Sequence, residues 1–166
     1  MPTVQAAPLP AGALLDRYAK TQAYTDCYSV QLPRPASLSQ FVEAFYTTPL
    51  FKLERWLLSI TLGLRSTDAQ ARELALGSRE RFAAWSVEAR EPNQVMLAAG
   101  RTRSWLMVGA QAGTKDASDL IFFGSAVVPG RTGRLGWQFS ALLGFHKLYS
   151  RLLLGAAARR LASGNS

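Results

Sequence analysis

The sequence predicts an α+β fold, an antiparallel sheet wrapped around a long C-terminal helix with short helices after the first strand. Three observations predict it. The apolar spacing is helical between Leu38 and Leu76 and changes to strand-like alternation after Gly77. Four extended runs follow in close succession over Phe82–Val128, separated by short turn segments. Finally, Trp137 to Leu161 is a proline-free stretch with an apolar face, and an antiparallel sheet needs such a partner to cover one side.

Tyr24–Leu32 opens the ordered chain as a strand, rich in β-prone residues and ended by Pro33 and Pro35. Residues 1–14, rich in proline and alanine, are expected to be poorly ordered, and 15–166 to form one domain. Ser37 or Ser39 caps a helix that breaks near Pro49, and Leu50–Leu62 forms a second. Thr67 and Asp68 cap a third, Ala69–Leu76, closed by Gly77. Phe82–Arg90 alternates, with Trp85, Val87 and Ala89 expected on one buried face. Gln94–Gly100, Arg101–Gln111 and Asp119–Val128 are the remaining strands, with a polar loop over Gly113–Ala117. In Ser104–Val108 and Leu120–Val127 both faces are apolar, so the facing of Trp105, Phe122 and Phe123 stays open. On a helical wheel centred on Leu142, the residues Phe145, Tyr149, Leu152, Leu153 and Ala156 fall within about 80 degrees, which predicts the buried face of the last helix.

Composition narrows the function classes. The chain has 166 residues, 48% hydrophobic and 18% charged, which excludes a disordered chain and favours a large apolar interior or an apolar cavity. Its uncharged apolar stretches are too short to span a bilayer. The single cysteine, Cys27, cannot form an internal disulfide, and with no secretory signal read at the N-terminus the expectation is a cytoplasmic protein. The net charge of +8 is concentrated in Arg131, Arg134, Lys147, Arg151, Arg159 and Arg160, a tail without acidic residues. That tail reads as a solvated helix face, or as a basic adaptor surface for an anionic membrane or nucleic acid. Peripheral membrane contact fits it better than nucleic acid, since basic and aromatic residues do not interleave.

The order of strand, two helices, antiparallel strands and one long amphipathic helix resembles the helix-grip architecture of the START-like, or polyketide-cyclase-like, superfamily. The segments Leu120-Ile-Phe-Phe-Gly-Ser-Ala-Val-Val-Pro129 and Gly136-Trp-Gln-Phe-Ser-Ala-Leu-Leu-Gly-Phe-His-Lys-Leu-Tyr149 look like uncharacterised bacterial relatives of that group. One departure is the helix read over Ser66–Ser78, where that pattern has a β-hairpin. The resemblance implies a hydrophobic cavity between a concave sheet and the last helix, holding a lipid, polyketide or aromatic metabolite. It transfers no catalytic residue set.

The candidate ligand-binding residues are Trp85, Val87, Trp105, Phe122, Phe145, His146 and Tyr149, rings and apolar groups that either line a pocket or fill a dry core. His146 is the one histidine and lies about 40 degrees from the wheel's centre, so it is the candidate acid or base, with Tyr149 as its hydrogen-bonding neighbour and Arg103 in reserve. A histidine at a core boundary, bonded to backbone or water, is the alternative. No phosphate loop, dinucleotide fingerprint, Cys/His cluster or Gly-x-Ser-x-Gly occurs, and no cofactor or metal is expected. The leading expectation is therefore a binder of an apolar small molecule, the alternatives a cyclase- or isomerase-type enzyme using His146 and the basic adaptor.

Overall fold

The computed structural model describes residues 3–109, 119–129 and 137–164, with side chains of the last helix from residue 144 onward. The elements in chain order are β1 (Gln5–Ala6), α1 (Asp16–Ala19), β2 (Tyr24–Gln31), α2 (Leu38–Tyr46), α3 (Pro49–Leu62), α4 (Asp68–Leu76), β3 (Arg81–Phe82), β4 (Trp85–Glu91), β5 (Gln94–Ala99), β6 (Thr102–Gly109), β7 (Leu120–Val127) and α5 (Trp137–Ser163). The strands form one open, fully antiparallel sheet of order β1-β2-β7-β6-β5-β4-β3. The fold is α+β, with α5 packed against β2, β7 and α2. No helix among the described residues is long and apolar enough to cross a membrane. The loop expected over Gly113–Ala117 lies outside the described residues.

Local chemistry sets the helix ends. Ser37 caps α2 and Thr67 caps α4, each in a reciprocal pair with a glutamine three residues on, which satisfies amides that the first turn leaves without partners. Thr48 accepts from the Phe51 amide, and Pro49 begins α3 where a missing N–H is harmless. Gly63 and Gly77 close α3 and α4 in the left-handed region, which glycine enters without a Cβ clash.

Strand register divides the sheet into two faces. Across β2, β7, β6 and β5, Tyr28, Phe123, Leu106 and Leu97 share the helix-covered face. Cys27, Gly124, Trp105 and Met96 occupy the outer face. Trp105 and Phe122, expected toward a ligand, are thus on the outer side, in a cluster with Leu14 and Leu15. Gly124 is required there, because a Cβ would come within 2.7 Å of Leu15 and 3.0 Å of Trp105. The shared face expected of Trp85, Val87 and Ala89 also fails. A bulge pairs Val87 with Leu97 but Ala89 with Met96, so the residue between them switches the parity and sends Ala89 to the outer face.

The N-terminal segment makes that outer cluster possible. Where poor order was expected, residues 3–14 follow the sheet: β1 pairs with β2, and Ala13 and Leu14 are buried. The buried Gln94 side chain accepts from the Leu14 amide (2.8 Å) and Trp105 Nε1 (2.8 Å), and donates to the Gly12 carbonyl (2.9 Å). One amide thereby satisfies three polar groups that would otherwise be stranded in an apolar layer.

On α5 the buried face is Ser150, Leu153, Leu154, Ala157 and Ala158, a turn of roughly a quarter away from the expected centre. Leu152 is 49% exposed and Phe145 67% exposed. The helix is apolar on both of these faces, so its pattern alone does not choose between them. Arg160, expected on a solvated face, is half-buried and donates to the Thr47 carbonyl at the end of α2 (3.2 Å). Leu154→Ala should therefore lower stability by about 2 to 5 kcal/mol in denaturant unfolding, whereas Leu152→Ala should cost well under half of that. Equal losses would place the buried face on the wrong side of the helix.

Candidate functional site

Between α3, α5 and the helix-covered face lies a cavity of about 650 Å³. Its inner wall is aromatic. Phe45 from α2 stacks at a tilt on Phe123 from β7 (4.8 Å between ring centres), and Phe51 from α3 lies 5.1 Å from Trp85 of β4. Its rim is apolar and solvent-exposed, with Leu53 and Leu57 on α3 facing Phe145, Leu148 and Leu152 on α5. The rim explains the second apolar face of α5, which borders the opening instead of entering the core.

Besides Thr102, Arg103, Ser104 and Ser150, two hydrogen-bonded polar groups interrupt this lining. The first depends on strand register: Asp26 of β2 stands opposite Ser125 of β7, so both point to the helix-covered face beneath His146 of α5. Asp26 Oδ1 accepts from the Ser125 amide (3.1 Å) and Ser125 Oγ (2.6 Å). His146 Nε2 is 2.7 Å from Ser125 Oγ and 3.5 Å from Asp26 Oδ2, and Tyr24 OH donates to that same oxygen (3.1 Å). A carboxylate carries no proton, so the serine hydroxyl donates to Asp26, and His146 Nε2–H in turn donates to the serine. This is not a nucleophile triad, since the serine proton is committed to the carboxylate and not to the imidazole. Burial acts to raise the Asp26 carboxyl, but the bonds from His146 and Ser125 outweigh it and hold the group below its ordinary range.

The second polar group joins α3 to α5. Tyr149 OH donates a hydrogen bond to Glu54 Oε2. Burial lifts the Glu54 carboxyl above its usual range, against the opposing pull of that bond. The Tyr149 phenol is raised too, by burial first and then by the Glu54 charge. Cys27, by contrast, faces outward from this site, and burial with Asp26 nearby pushes its thiol up to about 12, which leaves it an inert packing group. Among the described residues no group of three or more His, Cys, Asp or Glu side chains is placed to hold a metal ion.

Of the residues singled out from sequence, Trp85, Phe145, His146 and Tyr149 line the cavity. Val87 packs beside the main core without lining the cavity, and Trp105 and Phe122 lie across the sheet from it. Tyr149 bonds to Glu54 and not to His146. Arg103 reaches the cavity edge, but its guanidinium is held by Glu88 (2.5 Å) and Tyr18 (2.9 Å). Sequence reasoning missed Glu54, Asp26 and Ser125 and left the facing of Phe123 open, which register turns toward the cavity. Glu54 had a readable signal, as a lone acid four residues after Leu50 and three before Leu57 on an apolar helix stripe.

A family model described as "Protein of unknown function (DUF2867)" matches residues 18–151. The chain belongs to the DUF2867 family. No curated protein and no solved structure matches it significantly. The DUF2867 match takes in both polar groups of the cavity, from Asp26 to Tyr149.

Asp26 generates a pH-dependent expectation. Its depressed carboxyl adds stability above the unfolded-state value and loses that contribution as pH falls through the folded value. Asp26→Asn should therefore be less stable than the parent at pH 7 by about 1.5 to 3 kcal/mol, the usual worth of hydrogen bonds to a charged group. The deficit should narrow as pH drops through and below about 3.9, the ordinary aspartate value. A gap that stays constant with pH in urea titrations would remove the charge from this explanation.

Proposed function

We propose that this protein binds a hydrophobic small molecule, a lipid, polyketide or aromatic metabolite, in the cavity between the sheet and α5. The observation that carries this reading is the cavity itself: about 650 Å³ with an aromatic inner wall and an apolar rim. Small-molecule sites of about 300 to 1,000 Å³, mostly apolar with a few placed polar groups, have this character. Element order adds support. One antiparallel sheet with a C-terminal helix packed on it is compatible with a helix grip, and under the START-like resemblance that gap is where relatives hold apolar ligands.

A second reading has its own observation. The hydrogen bond from Nε2 to Ser125, with Asp26 at 3.5 Å, holds the His146 ring at the cavity wall, and a positioned imidazole is a natural acid or base for a cyclase- or isomerase-type reaction.

One titration separates these readings. The neutral probe N-phenyl-1-naphthylamine should bind saturably, with enhanced fluorescence reversed by dodecanol. His146→Ala should keep the fold and change the probe's Kd by less than about tenfold, as expected for the loss of one uncharged hydrogen bond. For the enzyme reading, the same variant should lose about 100-fold or more in turnover while probe binding survives. The absence of saturable probe binding by folded wild-type protein would remove the basis of both.

A further inference from the structure

Glu54, the one acid of α3, has no counter-ion among the described residues. Its helix neighbours Lys52 and Arg55 both turn to Asp68, at 2.5 Å and 2.7 Å. Arg103 at the cavity edge is paired with Glu88 at 2.5 Å. His146, one turn before Tyr149 on α5, is engaged by Ser125 and Asp26. Among the described residues, the only hydrogen bond to Glu54 comes from Tyr149 and uses Oε2, which leaves Oε1 with none. Glu54 is half-buried in apolar surroundings, and its Oε1 is free to take a cation or a further donor from a molecule in the cavity.

The rings nearby favour the same sign of charge. Phe145 is stacked on Tyr149 (5.9 Å, 16°), and Phe51 and Trp85 present further π-surface to the cavity. Aromatic faces are electron-rich and attract cations, most strongly where water is excluded. We propose that the cavity takes a hydrophobic molecule bearing a protonated amine, its apolar body against the aromatic wall and its ammonium on the free Oε1 of Glu54. The proposal rests on the cavity being a ligand site. A carboxylate-bearing ligand would meet like charge at the same position, and an alcohol would gain a hydrogen bond without the charge. The protein's net charge of +8 opposes a cation only at long range, where salt screens it within about 10 Å at 0.1 M, whereas the contact with Glu54 is local.

The test is displacement of N-phenyl-1-naphthylamine from the full chain by dodecylamine, dodecanol and dodecanoate, each below its micelle concentration, at neutral pH. Dodecylamine should displace the probe at a concentration about tenfold or more below dodecanol, with dodecanoate weakest, because a charge-assisted bond is roughly twice as strong as a neutral one. Glu54→Gln, nearly isosteric, should abolish the advantage of the amine and leave dodecanol unchanged, while Tyr149→Phe should keep it. Glu54→Lys should reverse the order in favour of dodecanoate. Equal or tighter displacement by dodecanol or dodecanoate in the parent, or an amine preference that persists in Glu54→Gln, overturns the proposal and leaves the cavity standing. Failure of the folded protein to bind the probe or any of the three overturns the cavity reading along with it.

Discussion

The packing of the C-terminal half of α5 on β2, β7 and α2 is the contact on which the site depends. Leu153, Leu154, Ala157 and Ala158 are buried there, and the two alanines let the helix come close to its neighbours. That contact anchors the helix and fixes where its preceding turns run. His146 and Tyr149 then border the cavity because they lie on the turns just before the seal. The α3 helix, fastened to the start of α4 by Arg55 through Ser66 and Asp68, provides the opposing wall.

The two polar groups of the cavity are held in different ways, and their electrostatics follow from that. Asp26 accepts three hydrogen bonds, two from Ser125 of β7 and one from Tyr24 of its own strand, with His146 of α5 close by, so its charge is favoured although the group is buried. Glu54 receives one, so its charge is disfavoured. The first is a structural hub that orients an imidazole. Under the proposed reading, the second is the group that a bound molecule would complete. Both depend on non-local pairing: Asp26 and Ser125 meet only because β2 and β7 are neighbours in the sheet, and Glu54 meets Tyr149 only because α3 and α5 face each other.

Much of the architecture was legible in the residues and little of the site was. Ser37, Thr67, Gly63 and Gly77 mark helix ends through local capping chemistry, which acts the same way in any fold. The change of period after Gly77 marks the sheet. The face of α5 was not legible, because its apolar residues form one stripe for the core and another for the cavity rim. Trp105 and Phe122 were assigned to the cavity by size and aromaticity, yet in a strand apolar on both faces only register decides, and register comes from partners far along the chain. The bulge between Val87 and Ala89 inverts a clear alternation, and no residue near it announces an extra position. Residues 3–14 looked loose by composition, and their attachment depends on Gln94, about eighty residues away. Of the site's acids, Glu54 was readable from helical spacing alone, whereas Asp26 needed the sheet.

The central claim is that the space among Phe45, Phe51, Trp85 and Phe123 is open to an apolar guest and is not closed packing. Xenon, which has no polar interactions to confound the result, tests this most directly in crystals under gas pressure. Occupied xenon density within that ring cluster is predicted, displaced when an apolar ligand is soaked in. A cluster that stays closed and excludes the gas, in crystals where the rings are well ordered, would contradict it.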